Sequence, residues 1–332
     1  MAGRKLKPFI ATFLAANLFT ALPASANGFW EFATAYSKDN YHTQVAQSFS
    51  RAVEVCTGGS IKINVHSGGS LYRSAEIKKA VEVAAVPIGE VFLASYADLD
   101  PLFSLDSLPF VATDYDQSLK LHNASKNELE ALLAKHNTRL LYSVPWSPQG
   151  IFTDNPIEDL SSLSGKGFFA FDKTTRRIAE LTGMMMPPKV KIAELEYAID
   201  LKKVEILISS AATGYNRKIW NRLSYFYDIR GWLPRNYVLI NEDTFKTATT
   251  QVQNCLLSSA RLAQETGELK ARNETAKFLK GMEDNGMKIL EPSEALSKEL
   301  KLIGETITLE WLGEMGSQGQ DILDRYKAEN EE

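Results

Sequence analysis

The sequence predicts an α/β protein of two lobes, each with a mostly parallel sheet flanked by helices, followed by long C-terminal helices. Three observations predict this class. Short runs rich in β-branched and aromatic residues alternate with amphipathic helical patterns as far as about residue 244. Two long helical patterns fill the rest of the chain. With 332 residues, the chain exceeds what one hydrophobic core usually organises, so two lobes are expected.

Seven segments have the composition of β-strands. Each is a short run in which β-branched and aromatic residues dominate. Because helical patterns separate most of these runs, neighbouring strands are expected to be largely parallel. The segments are 28–36, 60–68, 86–96, 139–146, 167–172, 204–210 and 235–243.

The helical patterns begin and end on capping residues. The pattern that starts at Tyr41 repeats apolar residues on one face and closes at Gly58. Ser74 predicts the N-terminus of a second helix. The two long C-terminal helices are expected over 244–282 and 293–327, the second capped by the serine with which it begins.

The N-terminus has the features of a secretory signal peptide. Three basic residues between positions 4 and 7 precede an apolar run at 9–22, and the small residues at 24–26 fit the rule for signal peptidase. The apolar run is too short to span a bilayer. We therefore expect a signal peptide at 1–26, cleaved near Ala26, and an exported mature chain that begins near Asn27.

Charge and hydropathy argue against two classes of partner. Loss of the three basic residues changes the formal net charge from −4 to −7, so the mature protein is mildly acidic. No basic face indicates nucleic acid or anionic lipid. No second apolar run approaches the roughly 20 residues of a transmembrane helix, so the mature protein is not expected to insert into a membrane.

The chain contains two cysteines, Cys56 and Cys255. An exported protein permits a disulfide between them, but their spacing does not show whether they meet, and two separate buried thiols are equally compatible with the sequence.

The common motifs of enzyme and cofactor sites are missing. The sequence has no G-x-G-x-x-G fingerprint, no phosphate-binding P-loop and no G-x-S-x-G elbow. Its four histidines are scattered, and no cysteine pair has zinc-ligand spacing. We therefore expect no enzyme activity, no cofactor and no metal, although a triad assembled only in space would escape such a search.

The order of several short segments resembles the solute-binding receptors of tripartite ATP-independent periplasmic (TRAP) transporters. No single segment is decisive, but together they extend over most of the mature chain. They are "FATAYSKDNYHTQ", "GGSIKINVHSGGSLYRSAEIKKAV", "VPIGEVFLASY", "DSLPFVATDYD", "LLYSVPWSPQGIFTDNPIEDLSSLSGKG", "RIAELTG", "KIAELEYAI", "ISSAATGYNRKIW" and "FYDIRGWLPRNYVLINEDTF".

The resemblance implies a two-lobed periplasmic receptor that closes on one small organic solute. It would deliver the solute to the two membrane subunits of an ion-coupled permease. The first lobe is expected to comprise 27–146 with 235–275, and the second 147–234 with 276–332. We expect a monomer or a weak dimer.

The family's main carboxylate-binding position is changed in this sequence. Many members hold a carboxylate with an arginine after the "DL-x-x-L-x-G" segment, because a guanidinium matches a carboxylate with two parallel hydrogen bonds. Alignment of "LSGKGFFAFD" places Phe169 at that position. A second arginine found in some members falls on Gln149, and a common asparagine falls on Ser210.

These changes lead to the hypothesis that the solute is a small amine or amino alcohol such as ethanolamine. Phe169, Trp146 and Tyr215 would form aromatic walls. Glu194 or Glu90 would supply the counter-charge, because aromatic faces alone do not offset the dehydration of an ammonium group. Further binding residues are expected on segments that approach the cleft in the family: a hydroxyl would bind Ser210 or Gln149, and two other candidate carboxylates are Glu76 and Asp154.

Two alternatives remain open. An organic acid could be held by a displaced basic residue, for which Arg73, Lys166, Arg176 and Arg177 are candidates. The protein could instead report its ligand to a sensor protein. Local interpretations also compete: Phe168 and Phe171 are expected to pack in the core with Phe169 on the opposite face, and Glu194 could be a helix N-terminal charge.

Overall fold

A computed structural model describes residues 28–187, 190 and 194–331 of the chain. The predicted signal peptide lies outside the described residues. The strands are β1 (Gly28–Ala33), β2 (Ile61–His66), β3 (Ile88–Phe92), β4 (Thr138–Pro145), β5 (Gln149–Thr153), β6 (Ile206–Ser210), β7 (Tyr225–Tyr227), β8 (Arg235–Asn241) and β9 (Lys288–Leu290).

The α-helices alternate with these strands and then dominate the C-terminal part. They are α1 (Tyr41–Cys56), α2 (Ser74–Glu82), α3 (Tyr115–Lys135), α4 (Lys173–Thr182), α5 (Leu195–Asp200), α6 (Ala211–Asn216), α7 (Glu242–Thr247), α8 (Thr250–Asp284), α9 (Glu294–Met315) and α10 (Ser317–Glu331). Short 3-10 segments cover Leu93–Tyr96, Pro101–Ser107, Leu160–Leu163 and Ile219–Asn221.

The strands form two sheets, which are the centres of two lobes. The first sheet has the order β2-β1-β3-β8-β4, and the second has the order β6-β5-β7-β9. The two-lobed α/β class is therefore confirmed. The sheets are mixed, however, and the expectation of mostly parallel sheets is wrong: β8 runs antiparallel to both β3 and β4, and β5 runs antiparallel to both β6 and β7.

The antiparallel pairs arise where the chain passes between the lobes. After β4 it crosses to the second sheet at 146–148, and after β7 it returns at 228–234 to enter the first sheet as β8. The two crossings lie side by side, since Trp146 N donates to Pro234 O (2.8 Å) and Gln149 N donates to Trp232 O (2.9 Å). Strand β8 therefore enters the first sheet between β3 and β4 and runs antiparallel to both.

One predicted strand is absent, and three observed strands were not predicted. Within 167–172, isolated bridges join Gly167 to Met185 and Phe168 to Ile206, without a continuous ladder. The unpredicted strands β5, β7 and β9 have five, three and three residues. Strands of three residues give too little alternation to identify from sequence. The longer β5 begins just after Pro148 and contains Gly150, two residue types that are depleted in strands.

Helix α8 connects the two halves of the fold. It is 35 residues long and packs against α1 and β4 on one side and against α6 and β9 on the other. A disulfide joins Cys56 at the end of α1 to Cys255 in α8, with their Cα atoms 5.6 Å apart. The alternative of two separate thiols is therefore wrong, and α1 is tied covalently to the helix that spans the molecule.

Candidate functional site

The candidate site lies at the edge of the first sheet from which both crossings depart. Strands β1, β3 and β4 all end at this edge, and β8 begins there, because Asn236 pairs with Phe92 and Val144. Ligands of open α/β sheets bind outside the carboxyl ends of the strands. The first crossing leads directly to Gln149 at the start of β5, so this edge faces the second lobe.

A buried carboxylate lies at the centre of this edge. The Glu90 side chain is 3% exposed. Asn236 Nδ2 donates to its Oε1 (3.0 Å), and the Thr34 hydroxyl donates to its Oε2. His42 Nδ1 lies 3.3 Å from Oε1. Both oxygens of Glu90 thus accept hydrogen bonds from neutral donors, which is the arrangement of an ionised carboxylate.

Aromatic side chains contact Asn236 and His42, two neighbours of this carboxylate. Asn236 Oδ1 accepts from Trp146 Nε1 (3.0 Å) and from the Tyr36 hydroxyl (3.3 Å). The Trp146 ring lies 4.1 Å from the His42 ring and 5.0 Å from the Tyr36 ring, measured between centroids. We refer to Thr34, Tyr36, His42, Glu90, Trp146 and Asn236 as the Glu90 cluster.

Burial determines the titration of the cluster. It lowers the pKa of His42, an effect that the hydrogen bond and charge of Glu90 oppose without reversing. Burial and the negative charge of Glu90 raise the pKa of Tyr36, while Asn236 and the positive charge of Arg217 oppose that rise. His42 and Tyr36 are therefore neutral near pH 7.

The second lobe contributes a neutral wall. Gln149 on β5 lies opposite Ser210 on β6, and both are buried. The Ser210 hydroxyl accepts from Thr213 N (3.1 Å) and caps α6, so its lone pairs are partly occupied by the helix. Gln149 Nε2 donates to Ser147 O (3.3 Å) within the first crossing. The side chains of Gln149 and Ser210 thus give this wall hydrogen-bonding groups that carry no charge.

Phe168 and Phe169 pack into different apolar clusters, as their alternation predicts. Phe168 packs with Ile206 and Ile208 of the second sheet. Phe169, which is 5% exposed, belongs to the apolar cluster that also contains Trp146. The segment runs parallel to β6 at Phe168, so the residues after it advance toward the edge that carries Ser210.

The two lobes are in contact at the mouth of the cleft. The ring of Phe171 lies 6.0 Å from that of Phe92 at the end of β3. Phe171 is half-buried and packs against an apolar core cluster, as expected, and its ring also contacts the first lobe through Phe92. One turn further on, Arg176 Nη2 lies 3.1 Å from Asp98 Oδ2.

Four predicted binding residues lie apart from the Glu90 cluster. Within the described part of the chain, their side chains have other surroundings. Tyr215 packs on Trp220 and Phe278, beside α8. Glu76 forms an ion pair with Arg73 on α2. Asp154 bonds Lys202 and Ser224 at the surface. Glu194 is exposed at the start of α5 without a side-chain cap hydrogen bond.

The four predicted substitutes for the arginine clamp are each paired with a carboxylate. Their partners are Glu76 for Arg73, Glu205 for Lys166, Asp98 for Arg176, and Glu310 with Glu180 for Arg177. A different cation lies closer to the site. Arg217 follows α6, pairs with Glu196 through Nη1 (2.7 Å), and its charge acts on Tyr36 of the opposite lobe.

Four members of the Glu90 cluster were not selected from the sequence as binding residues: Thr34, Tyr36, His42 and Asn236. All four lie in segments whose order resembled a known family, "FATAYSKDNYHTQ" and "RNYVLINEDTF". Their position just after β1, at the start of α1 or at the start of β8 was the available signal, because such residues meet at one sheet edge.

The two lobes, the crossings that join them and the polar edge between them define a solute-binding protein that encloses its ligand between two lobes. The chain belongs to family 7 of the bacterial extracellular solute-binding proteins, the DctP family, whose model matches residues 32–311. It is thus a TRAP-transporter solute-binding protein of an extracytoplasmic family. No curated protein sequence matches the chain.

Solved structures agree with this family. A TRAP solute-binding protein from a marine metagenome, specific for pyroglutamate, is 35% identical with a TM-score of 0.88; the match covers 91% of this chain and 99% of that one. DctP6 of Bordetella pertussis, a receptor that binds pyroglutamic acid, is 36% identical with a TM-score of 0.88, over 91% and 100% of the two chains. DctP7 of the same organism is 32% identical with a TM-score of 0.87, over 90% and 99%, and also binds pyroglutamic acid.

The membrane prediction concerns only the described part of the chain. None of the helices there is both long and apolar enough to cross a membrane.

Proposed function

We propose that this receptor works in the periplasm and delivers a small organic solute to the membrane subunits of an ion-coupled TRAP permease, without transforming the solute. The family supports the receptor role, and the disulfide between Cys56 and Cys255 supports an oxidising compartment. The alternative is that the receptor reports its bound solute to a sensor protein instead of delivering it to a permease. Loss of solute uptake after deletion of the receptor gene tests the transport role.

We further propose that the solute carries a cationic group, such as the ammonium of a small amine or amino alcohol. The observation that carries this proposal is the buried carboxylate of Glu90, which accepts hydrogen bonds from neutral donors and, within the described part of the chain, forms no ion pair with a lysine or an arginine. A buried negative charge without a cationic partner is costly, and a cationic solute would compensate it.

The aromatic residues of the cluster support the same class of solute. The rings of Tyr36, His42 and Trp146 contact one another, and His42 lies beside Glu90. Aromatic faces attract a desolvated ammonium group by about 0.5–2 kcal/mol. Phe169 would add an apolar surface from the second lobe, if the alignment that gives it the clamp position is correct. Gln149 and Ser210 would then meet a hydroxyl or other neutral polar group of the solute.

The second candidate solute is an organic acid of the size of pyroglutamate. It is favoured by three relatives that are 32–36% identical and bind this acid. On this hypothesis Arg217 would hold the carboxylate, and Glu90 would accept a hydrogen bond from the ring N–H group. Arg217 is the displaced basic residue that best suits this role, because its charge already acts across the cleft.

Calorimetric titration with matched pairs of solutes decides between the candidates. One pair is ethanolamine and ethylene glycol, which differ in an ammonium group against a hydroxyl. The other pair is pyroglutamate and its neutral amide. We expect ethanolamine or a related amine to bind with micromolar affinity, and ethylene glycol to bind at least about 100-fold more weakly, a difference of about 2.7 kcal/mol.

Binding of pyroglutamate with no binding of any amine would refute the cationic solute and leave the receptor role intact. The Arg217→Gln variant then separates the two modes of binding further. It should abolish binding of an acid, whereas an amine should bind at least as well, since a positive charge near the site is removed.

A further inference from the structure

The Asn236 side chain forms hydrogen bonds with three other members of the Glu90 cluster. It is 1% exposed, and it stands at the start of β8, immediately after the second crossing. Its amide nitrogen donates to Glu90, and its amide oxygen accepts from both Trp146 and Tyr36. Neither the sequence pattern nor the family description assigns it a role.

The orientation of this amide is fixed by chemistry. An indole N–H group can only donate, so the atom that faces Trp146 must be the Asn236 oxygen. The amide nitrogen then necessarily faces Glu90, at 3.0 Å. A carboxyl group facing an N–H donor presents an oxygen lone pair, and the other oxygen already accepts from Thr34. Asn236 therefore fixes the orientation of the Glu90 carboxyl group, with its Oε1 as an acceptor.

We propose that Asn236 is the positioning residue that sets the charge preference of the cleft, by holding Glu90 as an acceptor and the Tyr36 and Trp146 rings at its sides. This inference rests on the proposed cleft as the solute site, but it holds for either solute class. An asparagine combines an acceptor for two ring donors with a donor for one carboxylate in a single short side chain. Leucine, of similar shape, offers neither.

The same strand provides a matched control. Asn241, at the other end of β8, is also fully buried. Its Nδ2 donates to the backbone oxygen of Val81 (2.9 Å), and its Oδ1 accepts from Thr244 N (2.9 Å) at the start of α7. Its bonds are thus structural, so Asn236→Leu and Asn241→Leu remove the same groups from the same strand, and only the first change touches the Glu90 cluster.

The test measures selectivity rather than affinity alone. For each variant, calorimetry gives the affinity ratio of a charged solute to its neutral partner: ethanolamine to ethylene glycol, and pyroglutamate to its amide. For the solute pair whose charged member the native protein prefers, we expect Asn236→Leu to reduce the affinity ratio by at least tenfold. Asn241→Leu should lower thermal stability but keep the ratio within about threefold.

An unchanged ratio in a folded Asn236→Leu protein would overturn the proposal, as would an equal loss of selectivity in Asn241→Leu. Circular dichroism establishes that each variant is folded. Should Asn236→Leu not fold, Asn236→Asp replaces it, because a second carboxylate beside Glu90 must also change the charge preference. If the native protein binds pyroglutamate and no amine, the proposal of a cationic solute is refuted. The affinity ratio of pyroglutamate to its amide then still tests the role of Asn236.

Discussion

The two walls of the cleft differ in how their polar groups are used. On the first lobe, Glu90 is buried, and Thr34 and Asn236 donate hydrogen bonds to its oxygens without adding a positive charge. On the second lobe, Ser210 caps a helix and Gln149 bonds a backbone carbonyl, so both are neutral and engaged in the fold. On our proposal, the first wall determines which charge the cleft accepts, and the second wall determines its shape and closes it.

This division explains how one scaffold serves different solutes. The sheet edge of the first lobe is assembled from four strands that are joined by hydrogen bonds, so its groups are positioned before a solute arrives. The wall of the second lobe approaches only when the lobes meet. A solute that contacts both walls binds the closed form more tightly and shifts the population toward it. Changes in the first wall should therefore have the larger effects.

The largest effect is expected for Glu90→Gln. The amide keeps the size of the side chain but removes the charge, so an amine should bind at least about 30-fold more weakly, or 2 kcal/mol and more. Calorimetry with ethanolamine measures this loss. Glu76→Gln, which alters an exposed ion pair with Arg73, is the control and should leave the affinity unchanged. Retained amine affinity in Glu90→Gln would show that another group carries the counter-charge.

A smaller effect is expected for Phe169→Arg on the second wall. A guanidinium in this buried position would repel an ammonium group, so amine affinity should fall by about tenfold, or 1.4 kcal/mol. The same variant should gain affinity for pyroglutamate, since arginine matches a carboxylate with two hydrogen bonds. Phe168→Leu, on the opposite face, is the control and should change stability without changing the preference. No gain for the acid would argue against the clamp position.

The pH dependence of binding sharpens the contrast further. Burial lowers the pKa of His42 below its usual 6.5. Amine affinity should be constant from pH 8 to 6.5 and should fall at lower pH, because a protonated His42 neutralises Glu90; the loss is at most about tenfold per pH unit. An acid would show the opposite slope. His122→Asn is the control, since His122 is buried away from Glu90 beside Ser143 and should not affect this profile.

The same shift has a consequence for stability. A histidine whose pKa is lowered on folding takes up a proton in the unfolded chain at higher pH than in the native protein. The contributions of His42 and His122 to stability are therefore present above about pH 6.5 and are lost as the pH falls. Asp172 acts in the opposite direction, because burial raises its pKa to about 6, so the protonated acid favours the folded state below that value.

The sequence predicted the lobes and six of the strands because these depend on local patterns. It also selected Glu90 within β3, Trp146 after β4 and Gln149 as candidate binding residues, and these roles stay predictions. The Glu90 cluster as a unit could not be predicted, since Asn236 reaches Glu90 only when β8 returns between β3 and β4, 146 residues later in the chain. The mixed sheets follow from the same return. The segment after Gly167 has strand composition, but its neighbours allow only isolated bridges.

The smallest effect is expected for the ion pair between Arg176 and Asp98, which links the lobes at the mouth of the cleft. Both side chains are largely solvated, so the pair is worth at most about 1 kcal/mol. Because it forms only between the lobes, Asp98→Asn should weaken solute binding by up to about fivefold at low salt and by less at 0.5 M salt.

Calorimetry at two salt concentrations measures this effect, and Glu180→Gln is the matched control. Glu180 pairs with Arg177 on the same helix, α4, so its loss should leave closure and affinity unchanged. Equal effects of Asp98→Asn and Glu180→Gln would mean that the Arg176–Asp98 contact does not favour closure. A loss in Asp98→Asn that exceeds the loss in Glu90→Gln would contradict the division of roles between the walls, because the contact at the mouth would then matter more than the charge inside.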